Sequence, residues 1–391
     1  MKKIKYIILL LPLFLSGCYN YRELNDLGIT TAISIDYEDE YKVEAEFVNP
    51  IKAEDSSSSS ESAFVSFSSS APSIEEALKK ILLDSPQELY GSHLQILVLS
   101  KDVIETHLDE VLDFFMRDPQ FRSEFKVIIA DNDRSMQGIK VQTILDNLSS
   151  SNILKSLELE ERQLGITKAY TLNDIASMYL NPNIEITMPS ITLTGDLNTG
   201  EEKENTTLTK PDARVKISKT AVFKDSNLLG YLTDEESKTL SIIKGDIKNT
   251  ILNIPIEDSY VIFEPNRLNT KTDIDIKSNT IIVVIKGYAR VSEVSSDINI
   301  EDKKEVEDLT NILNNYIEDM VKDNFINIRD KYNSDIFGIR DLYYKKEPSS
   351  IKDISWYDEV FPNINIKVES KIKLYEKGNT KGGIKYEREN S

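Results

Sequence analysis

The 391-residue chain holds one cysteine, Cys18, directly behind a short apolar run, and that placement limits what the rest can fold into. One thiol rules out a disulfide framework, a Cys-rich zinc site or an iron–sulfur cluster, so a folded body must rest on its own apolar cores. As a helix the run from Tyr6 to Leu15 would cover about 15 Å, half of a hydrocarbon core about 30 Å thick, which is too short to span. Preceded by Lys2, Lys3 and Lys5 and followed by small residues, it reads as an export signal.

The signal ends in Leu15-Ser16-Gly17-Cys18, which resembles a bacterial lipobox. The resemblance implies that residues 1–17 are a lipoprotein signal peptide removed by cleavage, and that the thiol of Cys18 receives a diacylglyceryl group. Two acyl chains, at about 0.8 kcal/mol per buried CH₂, anchor stably where one binds only marginally. Residues 18–27 are then an anchor and short linker reaching at most about 35 Å, and the body sits close to the bilayer. Losing three lysines makes the exported body more acidic than the full chain, which has 66 Asp and Glu against 47 Lys and Arg and a net charge of -19. A surface of that sign repels phosphate backbones and anionic headgroups, so nucleic acid is not an expected partner. Residues that are 40% hydrophobic and 29% charged, with 13 Phe and 18 Tyr, describe a globular body. Its length suits two or three domains.

Alternation predicts strands over 29–35 and 41–48, a flexible serine run over 56–60, and a strand over 63–67. Ser73 with Glu76 matches a capping box opening a helix, the continuous apolar run 94–99 a buried strand, and Asp102 a helix cap before the strand 125–130. This βαβ succession suggests a partly parallel sheet covered by helices. The chain turns polar around 147–161, forms a short helix over 171–180, and returns as a strand over 184–193. Residues 196–211 hold almost no apolar side chain and read as a linker between an N-terminal mixed α/β domain, 28–195, and a C-terminal α/β domain, 212–377. Strands are expected there over 213–223, 259–264, 271–276, 280–294 and 363–375, with a capping box at Thr233 and Glu236. The longest helix is expected over 301–324, with its pattern broken after Phe325. Residues 378–391 form a polar tail. The expected class is α+β with mixed sheets in two major domains, the first open to subdivision.

Several stretches, in order, carry a family likeness: Cys18-Tyr19-Asn20-Tyr21-Arg22-Glu23-Leu24, Gly91-Ser92-His93-Leu94-Gln95-Ile96 and Arg117-Asp118-Pro119-Gln120-Phe121-Arg122 in the first domain. Thr220-Ala221-Val222-Phe223-Lys224, Leu229-Gly230-Tyr231-Leu232, Ser334-Asp335-Ile336-Phe337-Gly338, and Trp356 with Phe361 follow in the second. Together with the lipobox, the whole chain resembles the C subunit of bacterial spore germinant receptors, the Ger(x)C lipoproteins. Tyr19 and Asn20 depart from the family's usual Trp-Asp after the cysteine, which leaves cleavage chemistry untouched and weakens any specific contact just beyond the anchor. The resemblance implies a non-enzymatic subunit on the outer face of the spore inner membrane. It would work with membrane-embedded A and B subunits to trigger germination by nutrients.

The chemistry-bearing residues support no catalytic set. His93 abuts a buried strand and reads as a hydrogen-bonded structural residue, and His107 on an amphipathic helix reads as solvent-facing. Neither sits in a nucleophile-elbow context. The acidic stretch Glu201 to Glu204 lacks an EF-hand spacing and reads as a solvated loop, so no metal and no cofactor are expected. Arg117-Asp118-Pro119 fits either a partner contact or a helix stop, and Leu342-Tyr343-Tyr344 an amphipathic edge. Asp335, Phe337, Gly338 and Trp356 are the candidates for a docking face, shaped directly or by packing. The expected function is assembly and signalling within a lipid-anchored receptor. Alternatives from other classes are a solute-binding lipoprotein serving a transporter, which needs a closing interdomain cleft, and a cell-wall glycosidase, which needs a carboxylate pair.

Overall fold

A computed structural model describes residues 26–49, 62–256, 259–294, 302–351 and 355–376. The signal peptide, Cys18, the serine run 56–60 and the tail 378–391 lie outside the described residues. In chain order the first half comprises β1 (Leu27–Tyr37), β2 (Tyr41–Val48), β3 (Phe64–Ala71), α1 (Ile74–Lys80), β4 (Glu88–Tyr90), β5 (Ile96–Leu99), α2 (Lys101–Thr106), α3 (Leu108–Arg117) and β6 (Lys126–Ala130). Next come α4 (Ser149–Gln163), α5 (Leu172–Leu180), β7 (Thr187–Thr194), α6 (Leu197–Glu201), α7 (Glu204–Thr207), β8 (Arg214–Lys224) and β9 (Asn227–Tyr231). The rest comprises α8 (Asp234–Lys244), β10 (Leu252–Ile256), β11 (Ser259–Asp275), β12 (Thr280–Val294), α9 (Lys303–Tyr332), α10 (Ile339–Lys346) and β13 (Asn365–Glu376). The class is mixed α and β, as expected.

Two sheets organise these elements. The first runs β3-β2-β1-β5-β6-β7-β8-β9, with β4 beside the start of β1. Its centre, β1, β5, β6 and β7, is parallel, and its flanks are antiparallel. The parallel centre follows from connections long enough to carry helices across the faces. β5 is buried along its whole length, as its unbroken Ile-Leu-Val-Leu predicts. The second sheet runs β10-β11-β12-β13, with β13 parallel to β12 after the α9 crossover.

The segment 196–211 is not a linker. It forms α6 and α7 and connects β7 to β8, which pair antiparallel from Thr187 with Val222 to Thr194 with Arg214. Its anchor is the buried Asn205, whose Nδ2 donates to the carbonyls of Gln142 (2.8 Å) and Ala213 (3.1 Å) and whose Oδ1 accepts from the Ala213 N–H. A side chain serving three backbone groups lets a polar stretch pack. β8 and β9 therefore complete the first sheet. Along β8 the two faces then serve different cores: Ala221 and Phe223 lie in the first-domain core, and Val222 between them lies in the second.

Three other readings change. Residues 149–163 are helical: the N-terminus of α4 has no cap of its own and is held by Glu46, a buried carboxylate on β2 that accepts from the Ser150 N–H and hydroxyl and from Thr31 Oγ1. Ser100, not Asp102, caps α2, which breaks at His107 before α3. The long helix continues to Tyr332, because Phe325, Ile328 and Tyr332 extend its buried stripe. Capping boxes at Thr171 and at Thr233 are complete in both arms.

Candidate functional site

The histidines do not make a site. His93 is exposed, contrary to its structural reading, and His107 is packed instead of solvent-facing, its ring 3.8 Å from that of Tyr37 and its Nδ1 3.3 Å from Glu110 Oε1. Tyr41 donates to the same carboxylate, at 2.5 Å, and that bond chiefly holds the Glu110 carboxyl below its usual range. Arg117 pairs with Asp113 on the surface of α3. Glu201 lies at the end of α6, 3.9 Å from Lys140. Among the described residues no group of three or more His, Cys, Asp or Glu could hold a metal ion, and no helix is long and apolar enough to cross a membrane.

The residues singled out near the C-terminus do converge, at the junction of the two halves. Ser334 Oγ donates to the Phe223 carbonyl at 2.6 Å, fastening the end of α9 to β8. Asp335 is 1% exposed and its carboxylate accepts from the backbone N–H groups of Ile339 (3.0 Å) and Arg340 (2.7 Å), capping α10 from inside. Its carbonyl accepts from the N–H of Glu185, on the approach to β7. Gly338 holds φ +73°, the left-handed turn that brings those amides onto Asp335. Phe337 packs on Phe325 (5.0 Å between ring centres), and Trp356 sits edge-on to Tyr343 (5.3 Å) and near Phe361 (6.2 Å), all in the second core.

Around this corner the first half supplies partners. Tyr357 donates to Glu185 Oε1 at 2.6 Å, Lys224 lies 4.0 Å over the Tyr357 ring, and Tyr332 donates to the Tyr231 carbonyl at 2.8 Å. Burial, and then the bond to Glu185, push the Tyr357 hydroxyl up. Beyond them Arg340 Nη1 donates to the Pro182 carbonyl (3.2 Å) and Asn181 to Asp341 (3.3 Å), at the floor of an open groove of about 670 Å³ between α5 and α10. A second seam ties α8 and its following loop to the α4–α5 region: Thr250 Oγ1 donates to the Leu164 carbonyl and Lys244 to the Tyr170 hydroxyl. In this arrangement the Tyr357 hydroxyl is held by Glu185, and burial disfavours its ionisation. Chemically the junction is a set of buried hydrogen bonds that fix one half against the other.

Asp335 makes this junction sensitive to pH. Burial pushes its carboxyl up to about 7, against the Arg340 and Ile339 amides that favour the charged form, and nearby Glu185 adds to the rise. A carboxyl whose folded value is raised binds a proton on folding, so its contribution to stability is best below about pH 4 and is lost as pH rises towards about 7. The difference in thermal midpoint between Asp335→Asn and the parent should therefore move in favour of the variant across that window and level off above it. Parallel melting curves at pH 4.5 and 7.5 would contradict the assignment.

Sequence reasoning singled out Asp335, Phe337, Gly338 and Trp356 as shaping a docking face directly or by packing; all four are interior, which leaves packing as their route to any surface. It missed Glu185, the partner of the Tyr357 hydroxyl, for which no local pattern exists. It also missed the sharing of β8, for which a signal did exist: Thr220-Ala221-Val222-Phe223 is a run without alternation, as expected of a strand buried on both faces.

Two family models match in order: the spore germination protein N-terminal domain over residues 20–193, and the spore germination B3/GerAC-like C-terminal domain over residues 218–378. Spore germination protein KC of Bacillus subtilis (strain 168) is 25% identical over 405 residues, covering 97% of each chain. Spore germination protein B3 of the same organism is 20% identical, covering 94% of this chain and 96% of its own. The crystal structure of the GerBC protein shares the fold, at a TM-score of 0.50 and 16% identity, over 88% of this chain and 97% of that one. With both domains of one family following each other along nearly the whole chain, the protein belongs to the GerAC-like spore germination family, the C subunits of germinant receptors.

Proposed function

We propose that this receptor component is a lipid-anchored, non-catalytic subunit on the outer face of the spore inner membrane, assembling with the membrane-embedded A and B subunits and passing on the nutrient signal. The observation that carries the reading is the lone thiol of Cys18 at the end of an export signal, nine residues before β1, in a chain of this family. The junction supports a role through surfaces: Tyr332, Ser334, Asp335 and Tyr357 spend their polar groups on internal bonds, and a body so fastened presents a fixed shape to partners. Solute binding would need a cleft that closes over a ligand, whereas the two halves here share β8 and the groove between them is open.

The test is affinity capture from detergent-solubilised spore membranes, with mass spectrometry of what co-purifies. Recovery of both membrane-embedded subunits is expected. Capture of neither, from membranes that retain all three, would overturn the assembly reading. In the same spores Cys18→Ala should move the protein from the membrane to the soluble fraction after an alkaline wash without changing its melting temperature. Retention of that variant would show that a protein contact, not lipid, holds the chain.

A further inference from the structure

We propose that the end of the first sheet at which β1 enters is a bilayer-contacting surface, with Leu82–Leu83 on one side of the sheet and Ile144–Leu145 on the other seated at the headgroup boundary. This deepens the lipid-anchor reading and rests on it.

Strand directions put the starts of β1, β3, β4, β5 and β6 at one end. α1 returns to that end from the far end of β3 and closes in the turn Ile81–Leu83, five residues before Glu88, which pairs with Leu27. Ile81 is buried in that turn, whereas Leu82 is 47% and Leu83 83% exposed. On the opposite side the loop after Val141 is tied to the same end twice. Gln142 bridges Ser62 Oγ (2.8 Å), just before β3, to Gly200 and Asn205 beyond β7, and α4 enters with Ser151 donating to Gln95 just before β5 and Ser150 holding Glu46, which also accepts from Thr31 of β1. Between these ties Ile144 is 45% and Leu145 89% exposed. Leu145 and Leu83 are the two most exposed large apolar side chains among the described residues, and both belong to the end from which the chain leads back to Cys18.

The chain itself says what covers them. Leu27 lies nine positions after Cys18, a reach of about 30 Å, so an anchor at Cys18 holds this end towards the membrane. The full chain carries a net charge of -19 and the body beyond the signal is more acidic still, so it is not drawn to anionic lipid, and the contact has to be apolar and insensitive to salt. Short aliphatic tips on two loops suit that: they limit rotation about a single lipid tether and set which faces the partner subunits meet.

The test uses the chain from Cys18 onward, coupled through its one thiol to a maleimide-headgroup lipid in vesicles of phosphatidylethanolamine and phosphatidylglycerol containing brominated acyl chains. Coupling fixes the tether whether or not cells acylate Cys18, so this test and the Cys18→Ala test fail independently. Leu83→Trp and Leu145→Trp report on the two tips, and Leu180→Trp, at a 73% exposed position beside the interdomain groove, is the control; native Trp356 is a common buried background. Unchanged melting temperatures verify folding. Quenching at 83 and 145 should exceed that at 180 by about twofold or more and persist in high salt. Equal quenching at all three positions, quenching at only one tip, or none at either would overturn the proposal. The last outcome would leave this face to a protein partner.

Discussion

Phe337→Ala should destabilise the protein by about 3–5 kcal/mol and abolish nutrient-triggered germination, while germination by routes that bypass the receptor survives. The ring is 6% exposed, packs at a tilt against Phe325 of α9, and stands two residues from the Asp335 turn that fastens α10. Removing it opens a cavity at the place where the second core meets the junction, and a loss of that size is a large part of a typical total of about 5–15 kcal/mol. Phe337→Leu, which refills most of the volume, should cost less than about 1.5 kcal/mol and restore the response. Thermal unfolding of the soluble body beside the spore assay decides the matter. A Phe337→Ala chain that melts with the parent, from spores that respond normally, would falsify the internal role assigned to this ring.

Gly195→Ala should be at least as damaging, through the backbone. Gly195 ends the β7 side of the β7–β8 pairing with φ +92°, and a Cβ there would lie 1.6 Å from the Asp212 carbonyl oxygen and 2.9 Å from the Ala213 Cα. Neither atom can swing aside as a side chain would. The expected cost is about 3 kcal/mol or more, with new proteolytic cleavage between 196 and 211 as the hairpin parts. Gly338→Asn is the comparison: φ is +73°, but the nearest atoms to a Cβ are Ile184 carbons at 3.5 and 3.7 Å, so only about 1 kcal/mol should be lost. Equal stabilities for the two variants would mean that the hairpin connection yields more readily than its contacts indicate.

Local chemistry was the legible part of this fold. Thr233 and Ser73 cap helices where their spacing to the third residue predicts, and β5 is as buried as its four apolar residues require. What escaped depends on partners distant in sequence. α4 begins at serines and draws its cap from Glu46, 104 residues away, so its start carries no signature of its own. Residues 196–211 look like a linker because their packing relies on one amide, Asn205, instead of apolar area. β11 looked like two strands because a bulge around Arg267, at φ +51°, interrupts its alternation. At the junction the family likeness located the right residues, yet burial is a property of the assembled fold, and neither the surface nor the interior assignment of Phe337 could be read from its neighbours in the chain.

The shared strand also bears on how the protein can be divided. The family models part between residues 193 and 218, and a laboratory would naturally cut there to make the halves separately. Such a cut strips β7 of its hydrogen-bonded neighbour and leaves an apolar open edge on the N-terminal fragment, a template for aggregation. It also leaves the C-terminal fragment with an 11-residue strand that has lost the ladder on one side. Cutting after Tyr231 instead keeps every backbone ladder with its sheet, and the units that can be produced, labelled or exchanged between relatives begin and end there.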